Sequence, residues 1–148
     1  KHSEAPSVNT SPPRLRSAAV FIWFSESYRK AVKFARMAHL NLTYIKENVS
    51  DDPEFIGQVL DVFLLGLEQD VPVLEQAVNS VDHDAIRKAS HKVKSGFRSL
   101  GMTRMTAFLQ GLEDMGKDEK PSSEIREKFE AFLSLLPEVK SEIASYQP

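Results

Sequence analysis

Residues 82–101 read DHDAIRKASHKVKSGFRSLG. Ile86, Ala89, Val93, Phe97 and Leu100 recur at three- and four-residue steps, the spacing that gathers apolar side chains on one stripe of an α-helix. Asp82 stands where an N-cap acceptor is wanted. Gly101 suits the C′ position, where a left-handed backbone costs glycine little. The stretch is read as one amphipathic helix with a signal at each end.

The same pattern repeats on both sides. Upstream, Asp52 followed by Pro53 marks a helix start, since proline at the first helical position needs no N–H partner. Ile56, Val59, Leu60, Phe63 and Leu67 form its stripe, which resumes after Pro72 at Val73, Leu74, Ala77 and Val78 and runs to about Ser80. Pro72 is expected to bend this helix without ending it. A short helical piece, Thr43 to Asn48, precedes it. Downstream, Thr103 to about Met115 carries Met105, Phe108, Leu109 and Leu112, with Gly116 expected to end it and Lys117–Ser123 to form a loop. The last helix, about Ser122 to Tyr146, buries Ile125, Phe129, Phe132, Leu133, Leu136 and Ile143, with a bend at Pro137. No segment alternates at period two for long enough to suggest a sheet. Four amphipathic helices with short connections are best satisfied by an all-α, antiparallel four-helix bundle over residues 40–148.

Residues 1–16 lack apolar periodicity and contain Pro12-Pro13, so they read as a flexible linker. Residues 17–39 read as an additional N-terminal helix, with Val20, Phe24, Tyr28, Ala31, Ala35 and His39 roughly on one stripe and Phe21, Trp23 and Phe34 off it. Such a helix packs on the bundle, on a neighbouring domain or on a second copy. The longest apolar run, Ala18 to Phe24, is far shorter than the roughly 20 residues a helix needs to cross a bilayer. The formal charge of −2 supplies no basic surplus for nucleic acid. The absence of cysteine excludes disulfides, thiolate metal sites and a cysteine nucleophile, and fits a cytoplasmic setting. The opening Lys1 and the linker-like start suggest a piece of a longer protein.

Chemistry concentrates on one face of the 82–101 helix. At 100° per residue His91 lies about 200° from Val93, the centre of the core stripe. His91, Lys94, Ser95 and Arg98 fall at i, i+3, i+4 and i+7, and are expected to share an outward face. A neutral imidazole is a competent nucleophile toward phosphorus, and a hydrogen bond to its other nitrogen sets the tautomer. Lys94 and Arg98 can offset charge on a phosphoryl group. Ser95 and Gly96 leave the helix surface bare for another protein to approach, and Gly96 costs about 1 kcal/mol of helix stability relative to alanine. Glu113 and Gln110, on the following helix, are candidates to hold the second nitrogen of His91.

His91, Lys94, the small pair Ser95-Gly96, Leu100 and Gly101 resemble the signature of the histidine-containing phosphotransfer (HPt) family, which runs His-x-x-Lys-Gly-Ser and then Leu-Gly-Ala. Leu42-Thr-Tyr-Ile45, then Asp52-Pro-Glu-Phe55 and a long helix with a proline near its end, extend the likeness over about residues 40–146. The order Ser95-Gly96 departs from the family's glycine-first pair, which bears on partner preference. The resemblance implies that His91 takes a phosphoryl group from the phospho-aspartate of a receiver domain and passes it to another receiver. It implies a stoichiometric phosphocarrier rather than an enzyme, with no metal or cofactor of its own and magnesium on the receiver. The expected partners are response-regulator receivers and a sensor histidine kinase in the same chain if the domain is cut from a hybrid kinase.

Plainer readings stand beside this one. A lone exposed histidine is usually an ordinary surface residue, and Lys94 with Arg98 would then be a solvated face. His2, His39 and His83 have no supporting pattern, and His39 is not in metal-ligand spacing with another histidine. The alternative function is a helical adaptor that docks to receiver or kinase domains without phosphate chemistry. An autonomous enzyme is disfavoured because no Gly-rich phosphate loop or nucleophile elbow is present.

Overall fold

The computed structural model describes residues 39–148. They form five helices, α1 (Leu42–Asn48), α2 (Pro53–Ser80), α3 (His83–Ser99), α4 (Thr103–Lys117) and α5 (Ser122–Ala144). The first three start where a side-chain oxygen relieves an orphaned backbone N–H. Asn41 Oδ1 accepts from the Tyr44 N–H at 3.0 Å, Asp52 Oδ1 from Glu54 at 3.0 Å, and Asp82 Oδ1 from Ala85 at 2.9 Å. Pro53 opens α2 as expected, and α2 runs through Pro72 as one helix.

The two turns flanking α3 use the same wrap with different residues. After α3, Gly101 adopts φ 70°, its N–H meets the Arg98 carbonyl at 3.1 Å, and the Met102 N–H meets the Phe97 carbonyl at 3.0 Å. This is the left-handed ending expected of Gly101. A Cβ at Gly101 would collide with the Tyr44 ring, so the same glycine lets α1 lie against the turn. After α2, the residue with positive φ is Val81, at 55°. A β-branched side chain in that region is strained.

Helices α2 to α5 form an up-down-up-down bundle in which chain neighbours pack together and α2 closes against α5; the contact between α3 and α4 is the most extensive. The core centres on Phe97, which is fully buried and takes the Phe63 ring of α2 edge-on at 5.0 Å and the Phe132 ring of α5 at 6.1 Å. Ile86, Ala89, Val93, Phe97 and Leu100 are all buried, as the stripe of α3 requires. On α5 the expected core residue Leu133 is only half-buried, while Val139 is fully buried.

Two boundaries differ from expectation. Gly116 is not the residue that closes α4: the left-handed position is Glu119, at φ 51°, and Gly116, next to last in the helix, is buried against the backbone of α3. The last helix stops at Ala144, and Tyr146 folds back so that its hydroxyl donates to the Pro53 carbonyl at 3.0 Å. The bundle belongs to a compact unit spanning Ala38–Pro148. The linker expected over 1–16 and nearly all of the helix expected over 17–39 lie outside the described residues. His39 and Leu40 are described and are not helical. The carboxylate of Glu142 accepts their backbone N–H groups at 3.1 and 2.8 Å, and the buried His39 ring approaches Glu138 at 3.4 Å. Among the described residues no helix is long and apolar enough to cross a membrane.

Because Val81 is 40% exposed and holds a left-handed backbone, Val81→Gly is expected to raise stability by about 1 kcal/mol, measured by urea unfolding.

Candidate functional site

Helix α3 lies between α2 and α4, so its buried arc is wider than one apolar stripe. Ser90 and Lys94 are 0% and 7% exposed, whereas the His91 side chain is 62% exposed. Ser95 and Arg98 also face solvent. The outward face expected for Lys94 is therefore corrected: it sits about 100° round the helix from Val93, on the edge that α4 covers.

Two side chains from α4 meet two from α3 at this seam, and a third from α4 backs them. His91 Nδ1 lies 3.2 Å from Glu113 Oε1, and the other carboxylate oxygen takes the Lys94 ammonium at 2.5 Å. Lys94 also donates to Gln110 Oε1 at 2.8 Å, and the Gln110 amide nitrogen donates to Asp114 Oδ1 at 2.8 Å. Of the two residues expected beside His91, Glu113 is there. Gln110 instead holds Lys94. Asp114 was not foreseen, although its i+4 spacing from Gln110 was a signal for it.

The geometry assigns the histidine tautomer. An ionised carboxylate only accepts, so the hydrogen of a neutral His91 belongs on Nδ1 and the lone pair on Nε2. Nε2 has no hydrogen-bond partner among the described residues. Partial burial raises the Glu113 carboxyl, but hydrogen bonds and charge from Lys94 and His91 outweigh it and hold the group below its usual range. Lys94 spends its ammonium on Glu113 and Gln110, so this buried charge is matched rather than displayed.

Other cations nearby are differently employed. Lys88 pairs with Asp84 at 2.5 Å and Lys92 with Asp70 of α2 at 2.7 Å. Arg98 makes no ion pair among the described residues and lies about 10 Å along the axis from His91. The Ser95 hydroxyl donates to the His91 carbonyl at 2.9 Å. Gly96 is half-buried rather than bare: a Cβ there would stand 3.2 Å from Phe63 Cε2, so its smallness serves the approach of α2. Ser90 Oγ is buried without a hydrogen-bond partner, a feature no sequence pattern announced.

Since the folded Glu113 carboxyl titrates below its ordinary value of 4.5, its contribution to stability is complete above about pH 4.5 and is lost as pH falls through the lower folded value. In acid titrations followed by circular dichroism, Glu113→Gln is expected to flatten this part of the stability–pH curve relative to wild type.

A family model for the Hpt domain matches residues 58–144. No curated protein and no solved structure matches the chain. Domains of this family are phosphocarrier modules of histidine phosphorelays and interact with receiver domains of two-component systems. The match covers more than half of the chain, takes in α3, α4, α5 and all but the start of α2, and contains both His91 and Glu113: the chain belongs to the Hpt domain family.

Proposed function

We propose that His91 is the phospho-acceptor, taking a phosphoryl group on Nε2 from the phospho-aspartate of a receiver domain and passing it to another receiver. One observation carries this reading: the ring is held from behind at Nδ1 by Glu113 while most of the side chain is open to solvent. In the forward step the Nε2–P bond forms and the aspartyl O–P bond breaks, returning a free carboxylate to the receiver. The imidazole then carries a proton on Nδ1 and phosphorus on Nε2, and becomes cationic. The Glu113 carboxylate is already placed against that developing charge, so little rearrangement is needed. Return of the phosphoryl group to a second receiver runs the same bonds in reverse.

The surroundings suit a protein partner. Ser95 is small and exposed beside His91, and Arg98 offers a cation on the same side. Helix α2 leans on Gly96 through Phe63, and Val62, the residue before it, is 68% exposed. A receiver would dock over this surface and bring the magnesium. Lys94 acts on the phosphoryl group through Glu113 rather than by direct contact in the resting domain.

Incubation with phosphoramidate, or with a panel of phosphorylated receivers, is expected to place one acid-labile, base-stable phosphoryl group per chain, located on Nε2 by NMR. His91→Gln is expected to take none. Equal labelling of that variant would falsify the assignment. Receiver binding with no label from any donor would favour the adaptor reading. Glu113→Ala is expected to fold and to slow labelling roughly 10–100-fold, a loss typical of removing the group that orients an imidazole.

A further inference from the structure

The distance between Glu113 and His91 depends on how closely α4 lies against α3, and one residue governs that approach. Gly116 is the next-to-last residue of α4 and is buried. A Cβ there would stand 2.8 Å from the His83 carbonyl oxygen, 2.9 Å from the Arg87 nitrogen and 3.2 Å from the Arg87 Cα. All three atoms are backbone, so no side chain can swing aside, and a methyl group would have to push the helices apart. Gly111, in the same helix, differs: the three atoms nearest a Cβ there all belong to the end of the Lys128 side chain, which can move.

The helices are antiparallel, so this contact and the site occupy neighbouring rungs. Stepping back three residues from Gly116 reaches Glu113, and stepping on four from Arg87 reaches His91; both steps are one turn, about 5 Å. The next rung holds Lys94 with Gln110 and Glu113, and beyond it the chain turns at Gly101. The α3–α4 hairpin is thus joined covalently at one end and pressed together at Gly116 near the other. His91 lies on the side of Gly116, and Lys94 lies toward the closed end. Spreading the open end moves Glu113 away from His91 sooner than from Lys94, and the 3.2 Å contact to Nδ1 has little margin before it ceases to be a hydrogen bond.

We infer that Gly116 is a positioning residue: its missing side chain sets the spacing at which Glu113 holds Nδ1 of His91 and so fixes which ring nitrogen is available. The inference rests on the phospho-acceptor reading for its consequence in labelling, but not for its effect on the ring.

The test is Gly116→Ala in the full chain, in a Gly66→Ala background. A Cβ at Gly66 meets nothing within 4 Å, so that change adds helix propensity without a clash. With the imidazole neutral, ¹⁵N NMR of His91 is expected to show the Nδ1–H tautomer dominant in the background chain and a mixed population in Gly116→Ala. Phosphoramidate labelling is expected to slow about as much as in Glu113→Ala, and Glu113→Ala with Gly116→Ala is expected to be no slower than Glu113→Ala alone. Gly111→Ala should leave the tautomer unchanged. An unaltered tautomer in Gly116→Ala, a further loss in the double variant, or failure to fold even in the stabilised background would overturn the inference. If no chain takes label but the tautomer shifts, the positioning stands and the phospho-acceptor reading falls.

Discussion

Helices α3 and α4 meet closely enough that Gly116 has no room for a side chain against the backbone of His83 and Arg87. That contact and the turn at Gly101 fix the register of the hairpin, and register is what matters for the site. His91 and Glu113 are 22 residues apart in the chain, yet become partners because each lies one turn from the same close approach. Bundle packing elsewhere, through Phe97 and its edge-on ring neighbours, holds α3 between α2 and α4 and keeps the seam closed.

The seam separates two uses of positive charge. Lys94 is enclosed and matched by a carboxylate and an amide, an arrangement in which removing either partner leaves the other exposed to an uncompensated burial cost. Arg98 remains outside and unpaired among the described residues. An Hpt domain needs a nucleophile that is accessible and yet held in one protonation geometry. Under the proposed assignment of His91, Glu113 meets both demands, holding the ring at Nδ1 while most of the side chain stays open to solvent. The carboxylate that orients the ring is itself oriented by Lys94, so an enclosed pair supports an open one.

Much of the fold was legible in the chain because helix signals are local. Asp52, Pro53 and Asp82 mark helix starts through hydrogen bonds within three residues, and Gly101 marks an end through its own φ. The apolar stripe of α3 is buried residue for residue. Gly116 was misread because a glycine near a helix end looks the same whether it terminates the helix or admits a neighbour. Val81 shows the converse, since nothing in valine announces a left-handed backbone.

The sequence by itself determined that the chain is helical and that His91 lies opposite the core stripe of its helix, because both follow from a period of 3.6 residues. It also placed Glu113 among the candidates to hold the ring. Only the tertiary structure decided that Lys94 turns inward, that Gln110 serves Lys94 rather than His91, and that Gly96 gives room to Phe63. The reason is that periodicity fixes the angle of a side chain about its own helix, whereas burial depends on which neighbour lies at that angle. His91 stays open because no helix covers its edge. Lys94, 60° away around the same helix, is enclosed because α4 does.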